Sequence, residues 1–221
     1  MDVPDAVPMF PLPDHVLLLG LPTPYRIFEP RYRALVDDLL AREPRDRWLA
    51  VPRLAPGWQG AYHGQPAIQP VCTLGKVRNI RPLEDGQFLV IVEGLARCEL
   101  SELPATSDWR MARPTVLDDL PGAESPEERS AAIRSVLALV NHLRNRLGDR
   151  GQVLAPLVQN TSDECALIDR LGAALLGDVE VRQSFLLARR LPERVDILRR
   201  GLVAVLERPQ GTSRLRPPST N

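Results

Sequence analysis

An α+β fold follows from three features of this 221-residue chain. Short β-prone runs punctuated by Gly, Pro and Asp occupy the first half, and longer segments with helical spacing, opened by capping sequences, occupy the second. Between them lies an acidic stretch with Asp118, Asp119 and Gly122. Strands followed by helices predict a β subdomain and a helical subdomain. The expected boundaries are a β subdomain over 1–120 with one helix near 30–42, a helical bundle over 121–208, and a disordered tail over 209–221.

The first elements are an apolar strand at Val16–Leu19, closed by Gly20 and Pro22, and a second strand at Tyr25–Phe28. A helix then opens at Pro30, where a missing N–H costs nothing because the first helical donors have no intrahelical partner. Tyr32, Leu35, Val36, Leu39 and Leu40 follow at one-face spacing. Phe28 and Tyr32 are expected in the core. Further strands are expected at Arg47–Val51, Thr73–Ile80, Gln87–Val92, Leu95–Leu100 and Ala112–Leu117, with a hairpin turn at Glu84-Asp-Gly86. Pro52 to Pro70 reads as a long loop, a length that goes with function or mobility.

In the second half, Ser125-Pro-Glu-Glu128 is a capping box that starts a helix ending at Gly148. Thr161-Ser-Asp-Glu164 has the same form and starts a helix that ends near Gly177. A third helix is expected from Asp178 to about Arg190, and Pro192 begins a fourth.

Composition narrows the function classes. Lys plus Arg number 28 and Asp plus Glu 28, so there is no net pull toward nucleic acid or an anionic membrane. The apolar runs are too short to span a bilayer and the N-terminus lacks the pattern of a signal peptide, so a cytoplasmic location is expected. Cys72, Cys98 and Cys165 form neither a disulfide framework nor a CxxC motif and are expected to be reduced. Lys76 is the only lysine.

The order Ile27-Phe-Glu-Pro-Arg-Tyr32 after an apolar strand and a Gly/Pro corner resembles the N-terminal, substrate-engaging domain of the ATP-dependent Lon proteases. Val71-Cys-Thr-Leu-Gly-Lys-Val77 is similar to that family's Gly-Thr-hydrophobic strand, with Cys72 at the usual glycine, and Glu93-Gly94 with Arg97 resembles its Glu-Gly-x-x-Arg signature. The resemblance runs from about 7 to 207. It implies a free-standing domain of this type, a PUA-like β-barrel in the first subdomain, and recognition of exposed or unfolded polypeptide. Phe10, Phe28, Glu29, Arg31 and Tyr32 would then frame the module.

No chemistry stands out beside it. The phosphate-binding pattern fails at both ends, because Gly75-Lys76 is preceded by Pro70 and followed by Val77. Lys76 lies in a strand with no serine nominated as its partner. His15, His63 and His142 lack metal-ligand spacing, and the adjacent carboxylates diverge on a helix. No catalytic residue, metal or cofactor is expected. Two binding surfaces remain. Trp58, Tyr62, His63 and Trp109 are candidates for an apolar recognition patch or for lids on the barrel. Arg189, Arg190, Arg194, Arg199 and Arg200 form a basic patch, the one feature suited to RNA as an alternative partner, although Glu193 and Asp196 lie among them.

Overall fold

The computed structural model describes residues 1–61, 64–104, 107–159 and 163–207. The chain divides into two compact units at Leu117/Asp118. The first holds six strands: β1 Val7–Pro8, β2 Pro22–Ile27, β3 Trp48–Val51, β4 Val71–Pro82, β5 Phe88–Glu102 and β6 Met111–Val116, with helix α1 at Pro30–Ala41. All strand pairings are antiparallel, in the order β1-β6-β5-β4-β3, with β2 beside the first half of β5. The chain after β1 then runs parallel to β3 and its continuation. Bridges Met9–Ala50 and Leu12–Arg53 join them, with Phe10 N–H donating to Ala50 O at 2.8 Å and Leu12 N–H to Pro52 O at 3.0 Å. These contacts close the five strands into a ring.

Two cores follow from this closure. Val7, Met9, Trp48, Ala50, Cys72, Leu74, Cys98, Leu100 and Ala112, drawn from all five strands, pack together in one. The other joins the α1 stripe of Tyr32, Leu35, Val36 and Leu39 to Phe10, Tyr25, Ile27, Leu49, Val51, Val77, Val90 and Val92. Alternate residues of β3 thus serve opposite cores. β4 reaches both cores by ordinary alternation, Leu74 and Val77 facing opposite ways, whereas β5 changes cores because the register shifts between Leu74 and Gly75, where β5 carries an extra residue and its inward face reverses.

At that shift Gly75 faces Gly94. A β-carbon on Gly94 would lie 2.5 Å from Leu18 O and 2.8 Å from Thr73 Cγ2, so only glycine admits the crossing segment. The crossing is fastened by Thr73 Oγ1 donating to Leu17 O at 2.5 Å and Gly20 N–H donating to Gly94 O at 3.1 Å. Three expectations change here. Val16–Leu18 is a buried extended segment with only Leu19 bridged, not a strand. The two strands expected at Gln87–Val92 and Leu95–Leu100 are one, since Gly94 marks a close approach and not a turn. Phe28 is 44% exposed: β2 alternates, Tyr25 and Ile27 point inward, and the next residue must point out. The hairpin turn forms as expected, with both Asp85 (φ 59°) and Gly86 (φ 66°) left-handed.

The second unit contains α2 Pro126–Leu147, α3 Ala155–Val158, α4 Glu164–Leu175, α5 Val179–Leu187 and α6 Leu191–Glu207. Ser125 and Glu128 make the reciprocal bonds of a capping box at α2. At α4 the cap is Asp163, accepting from Cys165 and Ala166 N–H, so the expected Thr161 box is replaced by a simpler carboxylate cap; Thr161 lies outside the described residues. Asp178 caps α5 in the same way. α6 packs against α2, α4 and α5. The segment expected as a tail, 209–221, lies outside the described residues. Thus the α+β class holds, with six antiparallel strands and a separate set of helices.

Candidate functional site

The long connection after β3 is the most distinctive surface of the first unit. Its base is an irregular hairpin, with Leu54 bridged to Ile68, Ala55 N–H donating to Ala67 O, and Gln69 N–H donating to Arg53 O, both at 2.8 Å. From this base the chain makes an excursion in which Gly57 takes φ 86° and Trp58–Ala61 form a short 3-10 turn. Trp58 is half-buried there, while Gln59, Gly60 and Ala61 are exposed. Tyr62 and His63 lie outside the described residues.

At the foot of the excursion Pro11, Arg31, Tyr32, Leu54, Gly64, Pro66 and Arg110 line a small recess with about the room of one water molecule. Its two arginines are braced. Arg31 pairs with Glu29 at 2.9 Å and stacks over the Tyr32 ring at 4.7 Å. Glu29 is also the backbone N-cap of α1, but its side chain makes no cap bond. Arg110 bonds both carboxylate oxygens of Glu102, at 2.6 and 2.7 Å, and donates to Pro66 O at 2.8 Å. Arg110 therefore ties the returning limb of the excursion to β5. Tyr32 is held from below by Phe10, whose ring stands edge-on to it at 4.8 Å and to Tyr25 at 5.6 Å.

Trp109 precedes Arg110 and packs, partly buried, on the α1 core; its Nε1 makes no hydrogen bond among the described residues. The structure thus separates the aromatic candidates. Trp58 is on the excursion, and Trp109 leans on the core. Sequence reasoning missed Arg110, Pro11 and Pro66. Arg110 acts through partners 8 and 44 positions away, and no local pattern signals such pairing.

One member of the expected basic patch is not on the surface. Arg194 is fully buried, with its guanidinium bonded to Asp119 at 2.7 and 2.6 Å, 3.3 Å from Asp169, and bonded to Ala188 O at 3.2 Å. It sits on the apolar stripe of α6 beside Val195 and Leu198, a position that spacing marks as interior. Burial alone would lower its pKa, but the hydrogen bonds to Asp119 and the nearby Asp169 charge hold it above the ordinary arginine value. Arg199 and Arg200 both pair with Asp196, Arg190 lies 3.6 Å from Glu193, and Arg189 donates to Asp118 O. Lys76 stacks over Trp48 at 3.7 Å and donates to Arg45 O. Burial lowers its pKa. His15 bonds Tyr25 OH at 2.8 Å, and His142 is exposed on α2. No cluster of three metal-ligating side chains and no membrane-crossing helix occurs among the described residues.

The braced recess and the exposed excursion beside it thus lie on an antiparallel β unit, which a helical unit follows in the chain. The chain belongs to the family of the ATP-dependent protease La (LON) substrate-binding domain, whose sequence profile matches residues 6–203. That family is a substrate-binding domain and not the catalytic protease domain. Over 195 residues the chain is 24% identical to a Lon protease of Parabacteroides distasonis, covering 87% of this chain and 23% of that protein. It therefore spans about a quarter of that relative's length.

Two solved structures share the fold. The N-terminal domain of the Mycobacterium avium complex Lon protease superposes with a TM-score of 0.67 at 20% identity, covering 90% of this chain and 98% of that one. A Lon N-terminal domain protein from Xanthomonas campestris superposes with a TM-score of 0.58 at 19% identity, covering 92% and 99%.

Proposed function

We propose that the β unit recognises exposed or unfolded polypeptide segments, without catalysis, along the surface formed by the excursion after β3 and the recess at its foot. The observation that carries this reading is the bracing of that surface. Arg31 and Arg110 are each fixed by a carboxylate, Tyr32 is wedged on Phe10, and the excursion carries the half-buried Trp58. Fixed arginine and aromatic groups lose little freedom when they take up a partner, which is what gives such groups their large share of interface energies. The recess itself is too small for a metabolite, so the partner lies across it. Membership of a substrate-binding family supports the same reading.

The test is a titration of the full chain against a fluorescently labelled, reduced and carboxymethylated protein and against a panel of short peptides, by anisotropy. Micromolar binding is expected. Trp58→Ala should weaken it about tenfold, as loss of an interface anchor does. An unchanged affinity in that variant would move the site off the excursion, and absence of binding across the panel would overturn the reading. A single-stranded RNA probe belongs in the same series. Since four of the five arginines of the expected basic patch are tied to acids or a carbonyl and the fifth is buried, nothing in that patch favours RNA.

A further inference from the structure

The β-ring core contains two thiols that the binding reading does not use. Cys72 on β4 and Cys98 on β5 are directly opposed in the antiparallel ladder, and their sulfurs lie 3.7 Å apart. Their placement in the ladder can be worked out. Leu100 N–H donates to Pro70 O at 2.9 Å, which marks that opposed pair as hydrogen-bonded. Bonded and non-bonded pairs alternate, so two residues further along Cys72 and Cys98 form the next bonded pair, with α-carbons about 5.5 Å apart. Disulfides are accommodated at about 4.4–6.8 Å between α-carbons. The α-carbon spacing suits a bond, whereas the β-carbons of a hydrogen-bonded pair, about 5.5 Å apart, must approach to about 3.8 Å, so the two strands draw together locally as the sulfurs close to about 2.05 Å.

We propose that Cys72 and Cys98 form an oxidisable dithiol, a modification site at which a peroxide converts two core thiols into one cross-strand disulfide. One thiolate attacks a peroxide oxygen, giving a sulfenic acid and releasing hydroxide. The second sulfur attacks the sulfenic sulfur, the S–S bond forms, and the sulfenic oxygen leaves as water. In total two thiols and one hydrogen peroxide give one disulfide and two waters; sulfur is oxidised and peroxide oxygen reduced.

The surroundings decide the rate and the product. Both side chains are essentially excluded from solvent, among Val7, Met9, Trp48, Ala50, Leu74, Leu100 and Ala112. Burial first, then the neighbouring thiol, push Cys72 well above the ordinary thiol range. Thiolate is therefore scarce at neutral pH, and the pair reacts slowly with peroxide. Once one sulfur is oxidised, its nearest nucleophile is the other, so the sulfenic acid is trapped as a disulfide before a second peroxide arrives. Cys165, half-exposed in the helical unit, has no such partner among the described cysteines.

The experiment uses the full chain carrying Cys165→Ser, treated with hydrogen peroxide at pH 8.5 and followed by near-UV circular dichroism to verify that it stays folded. Both remaining thiols should disappear together, measured with Ellman's reagent after denaturation, and mild dithiothreitol should restore both. Non-reducing tryptic mapping reads the bond directly in a protein that needs no core substitution: the fragment 54–76 should appear joined to the fragment 98–110. With Cys98→Ala added, Cys72 should instead accumulate oxygen without cross-linking. Stepwise loss of single thiols to sulfinic acid in the Cys165→Ser protein, or a pair that stays reduced until the protein unfolds, would overturn the proposal.

Discussion

Replacing Arg194 by methionine removes the only fully buried charged side chain among the described residues while nearly preserving its volume. The cost depends on what is left behind. Asp119 has a side chain 36% exposed and recovers water, whereas the Asp169 side chain is 8% exposed and loses the cation that lies 3.3 Å from it. Removing one partner of a buried ion pair costs about 3–5 kcal/mol. With a urea dependence of about 2 kcal/mol per molar, the unfolding midpoint of the helical unit should fall by roughly 2 M, read by far-UV circular dichroism. The companion Arg194→Met/Asp169→Leu removes the Asp169 carboxylate as well and should recover at least half of the loss, because a well-packed apolar replacement of an ion pair is often neutral. A loss under about 1 kcal/mol for the single variant, or a double variant as unstable as the single, would refute the reasoning.

Three further outcomes follow from described contacts. Ser125→Ala removes half of the α2 capping box and should cost about 1 kcal/mol in the same denaturation, with a neutral result excluding the cap as a stabilising element. Gly94→Ala drives a β-carbon against Leu18 O and Thr73, and should cost about 1–3 kcal/mol as strain, read by tryptophan fluorescence since all three tryptophans precede Asp118. Cys165 is held above its ordinary value of 9.0 by burial and by Asp119, against the lowering effect of Arg194. Thiolate is therefore scarce at neutral pH, and the iodoacetamide labelling rate should rise with a midpoint above 9.0, moving higher still in Arg194→Met; a midpoint below 9.0 would contradict the assigned environment.

Most helices were legible because their signals are local. Pro30, Ser125 and Asp178 mark starts by chemistry that acts within one turn, and the α1 stripe reads directly as a buried face. The strands were legible as β structure but not in extent, since Gly94 looks the same in sequence whether it turns the chain or admits Leu18. Phe28 was misjudged because an aromatic residue favours the core on composition, whereas the pleat of β2 assigns its side. Arg194 was misjudged for the converse reason, that charge suggests surface, although its neighbours Leu191, Val195 and Leu198 already mark its stripe as interior. Of the site, Trp58 was visible as an aromatic in a long loop. The Arg110 brace was not, because pairing between residues far apart in the chain leaves no periodic trace.

The ring of strands closes through its own beginning. Val7 faces Ala112 across the β1–β6 ladder, and Met9 lies against Ala50. A chain made from its N-terminus must therefore leave the edge of its first strand that meets β6 unpaired until the sixth strand has been synthesised. Such distant pairing makes for slow folding, with loop closure to be met before contacts return stability. The nascent β1 segment, Val7-Pro-Met-Phe-Pro-Leu-Pro, suits that wait. Its three prolines cannot donate to a ladder, which hinders the early segment from pairing with a neighbouring chain before its own last strand arrives.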